Sequence, residues 1–477
     1  MAKVRTRFAP SPTGFMHLGG LRTALYAFLY AKHNGGDFIL RIEDTDRERF
    51  VDGALEVIYS SLLNTGLKYD EGPDVGGNYG PYTQSERKPL YMDYAKKLID
   101  LGGAYYCFCS KERLESLTDE NGNRKYDKHC LKISKEEAEE RIKNGESYVI
   151  RQNIPLEGTS SYEDLIYGTI EVDYADLEDN ILIKSDGMPT YNFANVVDDH
   201  LMGITHVIRG TEYLSSTPKY NLMYDAFGWE RPVYIHLPTI MKDATRKLSK
   251  RYGDANFDDF ISKGYIEDAI INYVALLGWC PKNNAEKMTL SEMIELFDLT
   301  GISKSPSIFD EVKLRWLNSE YLKAMSDEDF IKVSEPFFKK SACYNLYDYT
   351  KIAKLIKSRI EILSEIPEKI AFLTEYNSFS NELYFNKKQK TDSEMAKAVL
   401  PEIKSVILSL NEFKGDVLFE TLSLKAEELG IKARQLFNVF RIAITGLEVT
   451  PGGATDICDI IGKEETLRRL TLAIENL

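Results

Sequence analysis

The first forty or so residues already change period twice. Residues 4–8 alternate apolar and polar positions as a strand does, and Pro10 and Pro12 cannot extend it, because proline lacks an amide donor and restricts its neighbour. From Leu21 the apolar set Leu21, Ala24, Leu25, Phe28 and Leu29 recurs at helical spacing, and Asn34-Gly35-Gly36 supplies a left-handed stop. Residues 38–42 then read as a short buried strand. Strand, helix, strand predicts a βαβ unit with parallel strands and a right-handed crossover. From about 80 to 180 the rhythm breaks into short helices, one around 136–144, and polar strands, one over 148–152. A βα rhythm returns with a hairpin-like run at 181–184 turning through Asp186-Gly187, a helix near 194–202, a strand at 205–209, a helix near 218–227 and a strand at Val233–Leu237. After about residue 270 nearly every segment is helical in period, and 327–477 holds no convincing strand pair.

These periods predict an α/β fold: one open domain over 1–80 and 181–256, split by an α+β insertion over 81–180, then an all-α half from about 257 to 477. A length of 477 residues suits three or more domains, and 43% hydrophobic residues suits a chain that buries cores. No run approaches the ~18 apolar residues of a membrane span. The start, Met1-Ala2-Lys3-Val4-Arg5, enters a strand pattern rather than an apolar signal segment, so a cytoplasmic chain without a membrane partner is expected. Three of the six cysteines, Cys280, Cys343 and Cys458, are scattered singly and make no disulfide framework. A formal charge of −14 argues against non-specific coating of nucleic acid, while local basic surfaces can still steer RNA.

In an open parallel sheet, ligands sit beyond the carboxyl ends of the strands. The loop from Ala9 to Gly20 falls there. Gly19 and Gly20 let a ribose or adenine approach the backbone, amides at the helix start favour phosphate, and His17 can donate to a phosphoryl oxygen. A loop of this kind is more often only a turn. A second element, Lys247-Leu248-Ser249-Lys250-Arg251, follows the last strand; such a run is ordinarily solvated surface, but a mobile lysine could follow charge building on a reacting phosphate.

Together the two segments resemble the paired signatures of class I aminoacyl-tRNA synthetases, and the sharper similarity is to the bacterial-type glutamyl enzymes. Arg7-Phe8-Ala9-Pro10-Ser11-Pro12-Thr13-Gly14, Arg41-Ile42-Glu43-Asp44-Thr45-Asp46, Asp70-Glu71-Gly72-Pro73, Gln84-Ser85-Glu86-Arg87 and Asn195-Val196-Val197-Asp198-Asp199-His200 look like that family's runs. One departure is Gly20, where the class at large usually has a second histidine; a small residue there is similar to the glutamyl branch. The resemblance implies activation of L-glutamate by ATP with Mg²⁺, transfer to tRNA-Glu, and a tRNA requirement for productive activation. It implies catalytic roles for His17, Lys247 and Lys250, and ATP contacts from Thr13, Gly14, His17, Gly19, Gly20, Leu248, Ser249, Lys250 and Arg251. It also implies a Rossmann-type catalytic domain, and assigns the insertion to the tRNA acceptor end, 257–325 to the stem and 326–477, in two subdomains parting near 375, to the anticodon. The expected molecule is a monomer that does not bind DNA.

A glutamate pocket must hold an ammonium and two carboxylates, and arginine matches a carboxylate bidentately. Arg7 and Arg209 end strands that should face one crevice, Glu43 ends another and can accept from the ammonium, and Tyr191 and Asn195 flank a helix start. Ala9, Ser11 and Glu212 join them by resemblance. Against this stands an internal salt-bridge network among Arg7, Glu43 and Arg209. On the insertion, Cys107, Cys109 and Cys130 suggest a metal site, but Lys132 stands where some family members have a zinc-binding histidine and His129 is adjacent to Cys130, which leaves the fourth ligand unclear and favours ordinary packing. Arg359 falls among Leu355, Ile356, Ile362 and Leu363 at helical spacing, in the middle of an apolar face. There it either pairs internally or projects from a platform to read a base, as an arginine does in similar family runs.

Rival readings are a glutaminyl enzyme, whose anticodon half is built of β-barrels; a short paralogue that glutamylates a modified base and lacks that half; a pantothenate-synthetase-like ligase; and a non-catalytic tRNA-binding regulator.

Overall fold

The computed structural model describes residues 3–46, 51–118, 125–248, 256–376 and 379–477. Two compact units divide the chain: Met1–Ile261 with Glu267–Asp310, and Ser262–Ile266 with Glu311–Leu477.

The first unit begins as its period predicts, with β1 (Arg5–Phe8), α1 (Leu18–His33) and β2 (Asp37–Leu40). The strands pair in parallel with Arg7 opposite Ile39. The helix starts three residues before the expected Leu21 because His17 caps it, its Nδ1 accepting from the Gly19 amide at 3.0 Å. Next come α2 (Ala54–Asn64), α3 (Lys88–Asp100), β3 (Ala104–Cys107), α4 (Lys111–Glu115), α5 (Lys135–Lys143), β4 (Val149–Gln152), β5 (Thr159–Asp164), β6 (Gly168–Asp173) and β7 (Ile181–Ile183). They are followed by α6 (Tyr191–Leu201), β8 (His206–Gly210), α7 (Thr217–Phe227) and β9 (Val233–Leu237).

The sheets cut across the sequence order. β3, β4 and β7 form one antiparallel sheet, so the 181–183 run pairs with β4 and touches its own return only at an isolated bridge between Ile183 and Pro189. The β5–β6 hairpin extends the sheet of β8 and β9, β5 meeting β9 in parallel at Asp164 opposite Tyr234. Thr205, just before β8, donates its amide to the Arg5 carbonyl at 3.0 Å and so sets β8 beside β1. That hydrogen bond brings the ends carrying Arg7 and Arg209 together. Tyr91, Leu98, Ile150, Leu182, Phe193 and Val197 are the heart of the core between α3, α6 and the antiparallel sheet.

After β10 (Ile240–Met241) the first unit adds α8 (Phe257–Ser262), α9 (Glu267–Leu276), α10 (Leu290–Leu296) and β11 (Ser307–Ile308). The second unit is helical, as expected: α11 (Glu311–Ala324), α12 (Asp327–Phe338), α13 (Tyr349–Ile356), α14 (Ile366–Ile370), α15 (Ser393–Ser409), α16 (Gly415–Glu428), α17 (Ala433–Thr445) and α18 (Ala454–Glu475), the last kinked at Gly462 with φ 82°. Its core contains one buried cation. Arg469 donates to the carbonyls of Phe372 (3.0 Å), Ile444 (2.9 Å) and Leu373 (2.6 Å) and to Glu465 (2.7 Å), closing exposed helix and turn ends with one guanidinium. Among the described residues no helix is long and apolar enough to cross a membrane.

The placement of Arg359 departs from the sequence reading. α13 ends at Ile356, and the Arg359 amide closes a turn onto the Ile356 carbonyl at 2.8 Å. Ile362 and Leu363 are buried, but they cap and begin a separate 3-10 turn, Leu363–Glu365, so a helical count across 355–363 spans an element boundary. Arg359 is exposed, and it lines cavities of about 540 and about 1030 Å³.

Candidate active site

A cavity of about 780 Å³ opens beyond the carboxyl ends of β1 and β8. Of the residues singled out in sequence, Arg7, Ala9, Ser11, Gly20, Glu43, Tyr191, Arg209 and Glu212 all line it. Asn195 does not; its amide donates back to the Tyr191 carbonyl at 2.6 Å. Thr13, Gly14 and His17 lie on the neighbouring loop, where Gly14 adopts φ 124°, a conformation that favours glycine, and Gly19 lies in the first turn of α1. At Gly20 an added β-carbon would meet nothing nearer than Met16 Sδ at 3.6 Å, so the protein's own packing does not demand glycine there. Gly210 is different: a β-carbon would strike the Glu212 carboxylate.

Lys247 is exposed on a tight hairpin, bridged to Met241, while Leu248 is buried and donates its amide to Ile240. Ser249, Lys250 and Arg251 lie outside the described residues.

The two arginines of the cavity differ in their partners. Arg7 Nε donates to Asp199 at 3.1 Å and Nη2 to the same carboxylate at 3.3 Å, so a counter-ion is already in place. Burial pushes Asp199 up, but Arg7 and Arg41 outweigh it and hold the carboxyl below the ordinary carboxylate range. Arg41, fully buried, donates to Asp199 at 2.7 Å and to Glu43 Oε1 at 3.0 and 3.3 Å. Glu43 Oε2 accepts from no described residue, and burial raises this carboxyl above its ordinary value despite Arg41 and Arg7.

Arg209 has no such partner. It is 5% exposed and makes no ion pair among the described residues. Its Nε donates to His236 Nε2 at 3.1 Å and Nη2 to the Thr217 hydroxyl at 2.6 Å, and the rings of Tyr220 and Tyr213 stand 4.9 and 5.2 Å from its Cζ. The expected alternative, a network joining Arg7, Glu43 and Arg209 to each other, is therefore not formed. The carboxylates that do the pairing, Asp198 and Asp199, had no role assigned from sequence, although both lie in one of the runs quoted above.

Asp198 stands 3.9 Å from Arg41 Nε but takes its hydrogen bonds elsewhere. It accepts from Arg87 Nε (2.7 Å), Gln84 Nε2 (2.9 Å) and the Tyr91 hydroxyl (2.8 Å), tying α6 to the start of α3.

The three cysteines converge as well. Their sulfurs lie within 4.8 Å of one another, Cys109 Sγ and Cys130 Sγ being 3.5 Å apart. The Tyr126 hydroxyl stands 3.3 Å from Cys107 Sγ and 3.5 Å from Cys109 Sγ, a fourth donor that cysteine–histidine spacing could not have offered. The Cys107 thiol is pulled down to about 4 by hydrogen bonds with Cys130 and Tyr126 and by Arg151, whose Nε lies 3.3 Å away. Four zinc bonds of ~2.3 Å at tetrahedral angles put sulfurs roughly 3.8 Å apart, so the spacing of this set is compatible with such an ion.

Comparison with known proteins covers nearly the whole chain. The catalytic-domain model of class I tRNA synthetases (E and Q) matches residues 3–316, and an anticodon-binding-domain model matches 322–474. Curated relatives named glutamate–tRNA ligase include those of Clostridium kluyveri, 56% identical over 100% of this chain and 99% of the relative, and Clostridium novyi, 54% identical over 100% and 98%. A solved glutamate tRNA ligase from Elizabethkingia meningosepticum, crystallised with its amino acid, superposes with a TM-score of 0.89 at 37% identity, covering 100% of both chains. With matching families, relatives and structure over its whole length, this chain belongs to the glutamate–tRNA ligases of the class I aminoacyl-tRNA synthetases.

Proposed function

We propose that the cavity beyond β1 and β8 activates L-glutamate with ATP and passes the glutamyl group to the 3′ end of tRNA-Glu. The observation that carries this reading is Arg209, a buried cation with no counter-ion among the described residues, facing a cavity of about 780 Å³. A buried charge is costly unless paired, so the site is complete only when a ligand brings the anion. The fork takes the side-chain carboxylate of glutamate. Glu43 Oε2 and the Tyr191 side chain receive the ammonium, with Ala9 and Ser11 along the wall.

The α-carboxylate then attacks the α-phosphorus of ATP in line, pyrophosphate leaves, and a ribose hydroxyl of the bound tRNA attacks the mixed anhydride to release AMP. His17, with Nδ1 occupied by the Gly19 amide, carries the neutral ring's proton on Nε2, the atom that donates to a phosphoryl oxygen. Lys250 neutralises the same charge, and Lys247 with Leu248, Ser249 and Arg251 completes that segment's contact to ATP. Magnesium brought in with ATP would neutralise charge on its phosphates. No protein nucleophile is needed; catalysis is positioning and electrostatics.

Cys107, Cys109, Tyr126 and Cys130 would hold a zinc ion that braces the insertion. Elemental analysis of the purified protein should find about one zinc per chain, and Tyr126→Phe should weaken its retention.

The functional test is labelled-glutamate charging of purified tRNA-Glu. Arg209→Ala should raise the glutamate KM by at least about tenfold, the scale of one lost charged hydrogen bond, with ATP binding little changed. Unaltered glutamate kinetics in that variant would overturn the assignment.

A further inference from the structure

Behind Arg209 lies a second layer that the reaction itself does not require. His236, on β9, is fully buried, and Asp164, at the end of β5, is 2% exposed. His236 Nε2 accepts from Arg209 Nε at 3.1 Å, which leaves Nδ1 as the atom bearing the proton, and Nδ1 lies 2.7 Å from Asp164 Oδ2. Asp164 is itself fixed: Oδ2 also accepts the His236 amide at 3.0 Å, and Oδ1 accepts the amides of Ile166 and Tyr167 at 2.9 Å each. The other ionisable groups near the ring are Glu212, beyond Arg209, and Tyr234, stacked at 6.1 Å on the same strand. Burial lowers the imidazole's affinity for a second proton, which agrees with a neutral ring.

We propose that His236 is a positioning residue for the substrate carboxylate: held in one tautomer by Asp164, it aims the Arg209 fork without neutralising it. This rests on the reading that Arg209 binds glutamate. The contrast with Arg7 gives the reason. Arg7 is oriented by a carboxylate and is thereby already paired. At Arg209 a neutral ring stands between guanidinium and carboxylate, so orientation comes without a competing anion. Nε and one Nη2 proton are occupied, and both Nη1 protons and the second on Nη2 donate to no described residue. That end of the fork is the edge suited to a bidentate carboxylate. Specificity for an acid over its amide then depends on a ring that never touches substrate.

Two amide variants separate this role from a merely structural one, because a glutamine amide reaches the place of Nε2 and an asparagine amide that of Nδ1. His236→Gln keeps an acceptor for Arg209 and should retain the glutamate KM within about twofold. His236→Asn keeps the bond to Asp164 but strands Arg209, and should raise the glutamate KM about tenfold while the ATP KM stays put. If instead Asn is tolerated and Gln is not, the ring serves packing and the proposal fails. Arg209→Ala in the same assay separates the two readings: if it leaves glutamate KM unchanged, the pocket assignment itself is wrong, whereas a raised KM there with a silent His236→Asn sinks only the positioning role. Should either variant fold poorly, imidazole ¹⁵N shifts of the unaltered protein at neutral pH decide; a proton on Nδ1 alone supports the proposal, and a proton on Nε2 or on both nitrogens overturns it.

Discussion

At the scale of single residues, the cavity is governed by which cations already have an anion. Arg7 and Arg41 converge on Asp199, and all three are buried. Removing that carboxylate's charge would leave two guanidinium groups without their shared counter-ion, a loss in the range of about 3–5 kcal/mol for broken buried pairs. Asp199→Asn should therefore lower the urea midpoint of unfolding markedly, beyond any effect on catalysis. The variant should hurt activity chiefly through Arg7, whereas Arg209→Ala should hurt it at unchanged stability of the β1–β2 pair. Gly210 carries a smaller steric constraint, since a side chain there would strike the carboxylate of Glu212, which lines the same cavity.

At the scale of elements, the second unit offers a pH test. Hydrogen bonds from Arg468, and then from Arg469, hold Glu465 down to about 2 from its ordinary 4.5. A depressed folded-state value means that the contribution is full above about 4.5 and is lost as pH falls towards about 2. Acid unfolding followed by circular dichroism should lose a stability increment in that window, and Glu465→Gln should lack it. Elements with one clear period were legible from sequence: β1, β2 and β9 and the helices α6 and α7 fall within a few residues of expectation. Pairings between distant segments were not. Nothing in the alternation of 159–173 says that β5 will meet β9, yet Asp164 reaches His236 only through that pairing. Arg359 shows the converse error, an apolar spacing that continues across the end of α13 because two adjacent segments bury their residues at matching intervals. Tyr126 escaped notice because a phenol is rarely counted among soft-metal ligands, and only coordinates place its oxygen beside two sulfurs.

At the scale of the whole molecule, two units divide the labour that two family models describe. Arg359, exposed at a turn between two cavities, belongs to the anticodon-binding half. If it reads a base edge, Arg359→Gln should narrow the preference for tRNA-Glu over tRNA-Gln in charging assays while glutamate and ATP KM values stay unchanged; unaltered selectivity would dispose of that role. Within the first unit, consecutive carboxylates on α6 serve different masters: Asp199 grips the strand residues Arg7 and Arg41, and Asp198 grips Arg87 and Tyr91 at the threshold of the inserted module. One peptide bond thus rivets the floor of the amino-acid pocket to the gateway of the segment expected to receive the tRNA end. A disturbance at the start of α3 has a route through two adjacent carboxylates of one helix to Arg7 and Arg41.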